Sequence, residues 1–102
     1  MKIYVSGPYS KDHVGGTRAA IMMAEELRRM GHLPFVPHLS LLWDLIYPSP
    51  YEEWLAYDIA WLSECDAIFR LPGDSPGADR EVKYAEQHHI PIYYTTREVP
   101  NV

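Results

Sequence analysis

The sequence predicts an α/β fold of three layers, in which a parallel sheet of four to five strands lies between helices on both faces. Three observations predict it. Short runs rich in β-branched and aromatic residues alternate with longer amphipathic runs along all 102 residues. Gly and Pro separate these runs. The strand–helix–strand alternation is typical of parallel strands joined by right-handed crossovers.

Four segments are predicted as strands. The first ends at Gly7, and the second contains Pro34 and is followed by Pro37. Because proline cannot donate to a strand ladder, the second strand is expected at an edge of the sheet. The strands are expected at residues 2–6, 33–36, 66–71 and 90–94.

Helices are predicted between the strands. Arg28 and Arg29 lie in the last turn of the first helix, where cations suit the dipole, and Gly31 follows as a cap. Residues 49–52 read as a capping box for the second helix, with proline at its first position. The polar residues 10–16 are predicted as a loop. The helices are expected at 17–30, 50–64 and 76–87, with a short helical turn at 40–46.

Composition narrows the class of protein. The net charge of −5 and the absence of a basic run argue against nucleic-acid binding. Cys65 is the single cysteine, so no internal disulfide is expected. No apolar run approaches the roughly 20 residues that cross a membrane. We expect one domain over residues 1–102 in the cytoplasm, without a leader, and a homodimer or higher homo-oligomer because so short a chain buries a small core.

In parallel sheets, ligands bind beyond the carboxyl ends of the strands. The loops expected there are 7–16, 37–50 and 72–77. Residues 75–81 follow the third strand and open a helix, where unpaired N–H groups can hold a phosphate. The rim formed by these loops and their flanks is expected to carry Tyr9, Ser10, Arg18, His38, Trp43, Ser75 and Gly77.

Glu81 lies one turn into the third helix and borders the apolar stripe of Ala78 and Ala85. A helix N-terminus favours the ionised carboxylate. An ionised carboxylate in a dry pocket can attack a sugar C1′ and form a covalent glycosyl-enzyme. The alternative is a solvated charge on the helix surface.

Asp58 interrupts the predicted buried stripe of Tyr51, Leu55 and Leu62. Desolvation raises the pKa of a carboxyl group, which suits proton donation to a leaving base. The alternative is a structural hydrogen bond in the core. Tyr4 points to the opposite sheet face from its neighbours, either as a core tyrosine or as a donor to a catalytic carboxylate.

No metal or cofactor is predicted. His38 and the His88–His89 pair lack acidic or cysteine neighbours at the spacing of metal ligands. Gly15 and Gly16 do not form a dinucleotide-binding pattern, and no phosphate-binding loop of the NTPase type is present.

Together these motifs resemble the nucleoside 2-deoxyribosyltransferase superfamily, in particular its small phage and bacterial members and the 2′-deoxynucleoside 5′-phosphate N-hydrolases. The resemblance covers nearly the whole chain, to about Tyr94. The motifs are Ile-Tyr-Val-Ser-Gly-Pro-Tyr at 3–9, Asp58, Cys-Asp-Ala-Ile at 65–68, Ser75-x-Gly77-x-x-x-Glu81 and Ala85.

The resemblance implies a flavodoxin- or Rossmann-like fold and cleavage of the N-glycosidic bond of a nucleoside or (deoxy)nucleoside 5′-monophosphate. Glu81 matches the nucleophile, Tyr4 the residue that orients it, and Asp58 the acid that protonates the leaving base. Water or a second base then resolves the intermediate. Members of the family assemble as dimers or larger oligomers. The residues that the resemblance assigns to substrate binding are Ser6, Gly7, Tyr9, Ser75 and Gly77.

The resemblance also bears on the substrate. Ser75 and Gly77 match the positions that hold a 5′-phosphate in the hydrolases, whereas nucleoside-specific transferases tend to carry an acidic residue at the position of Ser75. This favours a nucleotide. The basic residue that the hydrolases carry after their first strand has Lys11 and Arg18 as candidates, and the family's fifth strand is not evident after Tyr94.

Two other functions compete with this one. A non-catalytic nucleotide-binding module could use the same fold. A flavodoxin-like or receiver-like signalling domain needs an acidic phosphoacceptor at the end of the third strand, where Phe69, Arg70 and Leu71 stand.

Overall fold

The computed structural model describes residues 1–101, and its strands form one parallel sheet in the order β2-β1-β3-β4. This confirms the predicted α/β fold, with four strands and no fifth among the described residues. β2 lies at an edge, as its prolines predict. The strands are β1 (Lys2–Ser6), β2 (Leu33–Phe35), β3 (Ala67–Arg70) and β4 (Ile92–Tyr93).

Helices cover both faces of the sheet, which confirms the three layers. On one face, Ile3 and Val5 pack against Leu27 of the first helix. On the other, Tyr4 and Ile68 pack with Leu62 and Ala85, which lie on two other helices. The helices are α1 (His13–Arg29), α2 (Leu41–Ile46), α3 (Tyr51–Leu62) and α4 (Pro76–Gln87), with 3₁₀ turns at Pro37–Ser40 and Thr96–Glu98.

None of the helices within residues 1–101 combines the length and the apolar character that a membrane crossing requires.

Helix α1 begins four residues earlier than the sequence predicts. The side chain of Asp12 caps it by accepting a hydrogen bond from the backbone N–H of Gly15, at 2.9 Å. Gly15 and Gly16 therefore lie in the first turn rather than in a loop. A Cβ at Gly16 would lie 2.2 Å from the carbonyl oxygen of Pro8, so glycine permits the helix to approach the loop after β1.

We expect Gly16→Ala to destabilise the protein by roughly 1–3 kcal/mol, because its methyl group would collide with backbone. The higher helix propensity of alanine, worth about 1 kcal/mol, offsets only part of this cost. Gly15→Ala is the matched control. Its methyl group meets the carboxyl group of Asp12, which can rotate away; the lost cap costs about 1 kcal/mol, and the higher helix propensity of alanine offsets a similar amount. Urea unfolding measures both; a Gly16→Ala variant as stable as Gly15→Ala contradicts the prediction.

Helix α3 is not started by the predicted capping box. Pro50 is the N-cap residue, and no side chain caps the helix. The backbone N–H of Ser49 instead donates to Oδ1 of Asp44, at 3.0 Å. Tyr51 is half exposed and does not belong to the buried stripe, whereas Leu62 is fully buried.

Candidate active site

The predicted rim forms a cavity of about 370 Å³. Residues that follow three neighbouring strands line it: Gly7 after β1, His38 after β2 and Ser75 after β3. Helix α3 closes another side. The cavity therefore lies beyond the carboxyl ends of the strands, where the topology predicts a ligand site.

Glu81 of α4 lines the cavity and is only 7% exposed. Two hydroxyl groups of β1 bind its carboxylate. Tyr4 Oη donates to Oε2 at 2.5 Å, and Ser6 Oγ donates to Oε1 at 2.7 Å. Tyr4 and Ser6 are themselves fully buried and do not line the cavity, so they bind the carboxylate from the protein interior. Glu81 is therefore not a solvated helix charge.

Opposing influences act on the carboxyl group of Glu81. Burial raises its pKa and outweighs the hydrogen bonds from Tyr4 and Ser6 and the charge of Arg70, which lower it, so the pKa of Glu81 lies above its ordinary value. Burial and the negative charge of Glu81 raise the pKa of the Tyr4 phenol well above its usual range. The phenol therefore stays protonated at neutral pH and can donate to the carboxylate.

Asp58 of α3 also lines the cavity. Its Oδ1 is buried and has no hydrogen-bond partner among the described residues, so the structural-hydrogen-bond alternative has no support there. Burial and, secondarily, the charge of Glu81 raise the pKa of Asp58 to about 7. Because Glu81 has two hydroxyl donors and Asp58 Oδ1 has none, the hydrogen bonds favour the charge on Glu81 and the proton on Asp58.

Asp58→Asn is expected to stabilise the protein at pH 8. The folded-state pKa of about 7 exceeds the ordinary value of 3.8, so folding becomes less favourable as pH rises from about 4 to 7. Asparagine avoids this loss because its side chain carries no charge. Because the Asp58 side chain is only partly buried, we expect the substitution to raise the free energy of unfolding by about 1–2 kcal/mol above pH 7 and to leave it almost unchanged near pH 4. Thermal unfolding at both pH values measures it; equal effects at the two contradict the prediction.

The corner between β3 and α4 contains two of the predicted substrate-binding residues. Ser75 Oγ accepts a hydrogen bond from the N–H of Ala78 at 3.1 Å, which caps the helix and leaves the hydroxyl proton available to a ligand. A Cβ at Gly77 would lie 2.9 Å from the hydroxyl oxygen of Tyr51. Glycine thus makes room for the Tyr51 hydroxyl beside the start of α4.

Tyr9, in the loop after β1, forms another part of the cavity wall. Its ring stacks on His13, with centroids 4.3 Å apart, and meets the edge of His38 at 5.7 Å. Nε2 of His38 lies 3.2 Å from the carbonyl oxygen of Pro8, and its buried Nδ1 has no partner within residues 1–101. Burial lowers the pKa of His38, which favours the neutral imidazole.

Sequence reasoning missed Asp44 and Trp54, which also line the cavity. Oδ1 of Asp44 accepts hydrogen bonds from the Ser49 N–H and, at 2.6 Å, from the Trp54 indole. These two bonds lower the pKa of Asp44. The available signal was a carboxylate within the apolar run 41–46, the same kind of signal that singled out Asp58.

The structure brings most of the predicted site residues together. Tyr4 and Ser6 contact Glu81 without lining the cavity, and two residues predicted on the rim, Arg18 and Trp43, are not part of its lining. In the part of the chain that the structure describes, no cluster of His, Cys, Asp or Glu is arranged to hold a metal ion. The predicted residues that line the cavity are Gly7, Tyr9, Ser10, His38, Asp58, Ser75, Gly77 and Glu81.

Over residues 1–94 the chain matches the family model described as a domain of unknown function, DUF4406. No protein with a curated description matches it. Among solved structures, the 2-deoxyribosyltransferase of the psychrotolerant bacterium Bacillus psychrosaccharolyticus is similar, with a TM-score of 0.64 and 23% identity. The match covers 90% of this chain and 69% of that one. At this identity the likeness shows a shared fold, which agrees with the fold that the resemblance in the sequence implies. The chain therefore belongs to the DUF4406 family and has the fold of the 2-deoxyribosyltransferases.

Proposed function

We propose that this protein cleaves the N-glycosidic bond of a nucleoside or (deoxy)nucleoside 5′-monophosphate through a covalent intermediate on Glu81. The observation that carries the proposal is the pairing of Glu81, buried and held by two hydroxyl donors, with Asp58, whose pKa is raised to about 7 in the same cavity. An ionised nucleophile and a protonated acid in one cavity are what a retaining glycosidase needs.

In the first step an oxygen of Glu81 attacks C1′, and the bond between C1′ and the base nitrogen breaks. The proton of Asp58 passes to the departing base, and Asp58 becomes a carboxylate. In the second step water or another base attacks C1′, Glu81 leaves as the carboxylate, and Asp58 recovers a proton from the attacking group. Two displacements at C1′ retain its configuration.

The start of α4 supports a 5′-phosphate on the substrate. Backbone N–H groups at a helix N-terminus attract anions, and the Ser75 hydroxyl has a proton to donate. Within residues 1–101 the cavity lining contains no Lys or Arg. A phosphate bound there would depend on this corner. Comparing each nucleoside with its 5′-monophosphate in the same assay decides which is the substrate.

A 2′-deoxy-2′-fluoro nucleoside and its 5′-monophosphate test the proposal. Fluorine at C2′ disfavours the positively charged transition state, so the glycosyl-enzyme should accumulate. We expect the intact mass to rise by that of the fluorinated sugar, and peptide mapping to place the adduct on Glu81. Saturable binding with neither an adduct nor base release would instead support a non-catalytic nucleotide-binding module. Adding a free base as acceptor separates transfer from hydrolysis, because transfer yields a new nucleoside.

The homo-oligomer also stays a proposal. Helix α2 and the residue after it expose four large apolar side chains, each between 69% and 72% accessible: Leu42, Leu45, Ile46 and Tyr47. Soluble monomers seldom leave such a group uncovered, which supports a contact with a second copy. Sedimentation velocity measures the association. The single domain over residues 1–102 and the cytoplasmic location stay predictions.

A further inference from the structure

Arg70 lies at the end of β3, beside the candidate site but outside its cavity. Arg70 pairs with Ser6 of β1 in the sheet register, and Ile68 pairs with Tyr4. Because side chains alternate along a strand, Arg70 shares a sheet face with Ser6 and Tyr4. Those are the two residues whose hydroxyls bind Glu81.

The guanidinium of Arg70 joins three parts of the structure around this corner. Nη1 donates to the carbonyl oxygen of Leu71, and Nη2 donates to the carbonyl oxygen of Gly73 at 3.0 Å. Nη2 also donates to Asp79 Oδ1 in the first turn of α4, at 3.0 Å. One side chain therefore connects the end of β3, the loop that leads to Ser75 and the start of the helix that carries Glu81.

The carbonyl contacts matter more than the ion pair. The Asp79 side chain is 73% exposed, and exposed ion pairs contribute little. The Arg70 side chain is only 11% exposed. Gly73 has φ +113°, a backbone conformation that glycine tolerates, and its carbonyl is one of the two acceptors. Arginine's planar fork of donors suits two acceptors at once, whereas lysine presents a single point charge.

Several charged or titratable groups face Glu81. From β1 there is the Tyr4 phenol, from α3 the Asp58 carboxyl group, and from β3 the Arg70 guanidinium. The negative charge of Glu81 raises the pKa of both Tyr4 and Asp58. The charge of Arg70 lowers the pKa of Glu81 and so opposes the effect of burial.

We propose that Arg70 is a positioning residue of the candidate site, which holds the β3–α4 loop and the first turn of α4 in place and supplies the positive charge that favours ionised Glu81. It does so without touching the substrate. The inference deepens the proposed function, but it is tested first on the free protein, so the two can fail separately.

The test is the titration of Glu81 in protein labelled with ¹³C at the glutamate side-chain carboxyl carbons, with Glu81→Gln used to assign the signal. In Arg70→Gln we expect the Glu81 signal to titrate at higher pH than in the wild type. In Arg70→Lys, which keeps the charge, we expect it to titrate near the wild-type position. Asp79→Asn is the matched control, because it breaks the ion pair and leaves the cation; we expect no upward shift.

An unchanged Glu81 titration in Arg70→Gln overturns the inference, and so does an upward shift in Asp79→Asn as large as that in Arg70→Gln. Should Arg70→Gln fail to fold, an upward shift in Arg70→Lys overturns the role of the charge. These outcomes need no substrate. If the protein releases base, kcat/KM of Arg70→Gln at pH 5.5 should fall roughly tenfold more than at pH 8, relative to the wild type. Absence of base release from every variant counts against the proposed function alone.

Discussion

Glu81→Gln is expected to reduce the release of free base by at least about 10³-fold, because it removes the nucleophile while keeping the size of the side chain. The amide can still lie between Tyr4 and Ser6, so the fold should persist. The assay is chromatography of free base released from a panel of nucleosides and nucleoside 5′-monophosphates, at pH 6 to 8.

Glu86→Gln is the matched control for this variant. Glu86 lies on the same helix but is exposed, so the substitution changes the protein's charge by the same amount without entering the cavity. Glu86→Gln should release base at the wild-type rate. Equal release by the wild type and Glu81→Gln would remove Glu81 from the reaction and, with it, the proposed intermediate.

Asp58→Asn is expected to reduce base release by about 10²–10⁴-fold, because asparagine cannot protonate the departing base. The same substitution should change the pH profile. Wild-type activity should fall as pH rises through about 7, where Asp58 loses its proton. The variant should lack this basic limb. On the acid side, activity should rise with pH as Glu81 ionises. The acid and basic limbs of the pH profile therefore give the apparent pKa values of the Glu81–Asp58 pair as a unit.

A substrate whose base needs no proton is the control for Asp58. An N7-methylated purine nucleoside carries a positive charge on the base and releases it as a neutral molecule. Asp58→Asn should reduce the rate of base release far less with this substrate than with the unmodified purine nucleoside. A similar loss with both substrates would show that Asp58 supports the site by some means other than proton donation.

The larger features of the fold were predictable because each depends on a local pattern. Alternating strand-like and helix-like runs predict parallel strands, and Pro34 and Pro37 predict that β2 is an edge strand. Boundaries were less predictable. The cap from Asp12 starts α1 at His13, and the Asp44 carboxylate holds the Ser49 N–H instead of leaving Ser49 to cap α3. Both depend on which of several polar groups lie within reach of one another.

The segment 75–81 shows what the sequence by itself determined about this protein. It determined a helix start at Ser75, a glycine two residues later and a carboxylate one turn in. Together with the motifs at 3–9 and 65–68, the segment revealed the resemblance to a family. The helical period placed Glu81 only at the border of the apolar stripe, because a period reports the face of a helix and not what lies opposite it.

Only the tertiary structure decided that Glu81 is buried and held. Its partners, Tyr4 and Ser6, come from a strand 77 and 75 positions earlier. Asp58 comes from another helix and meets the same cavity. A carboxylate's solvation and pKa depend on the groups that surround it in space, and here those groups come together only when β1, β3, α3 and α4 pack.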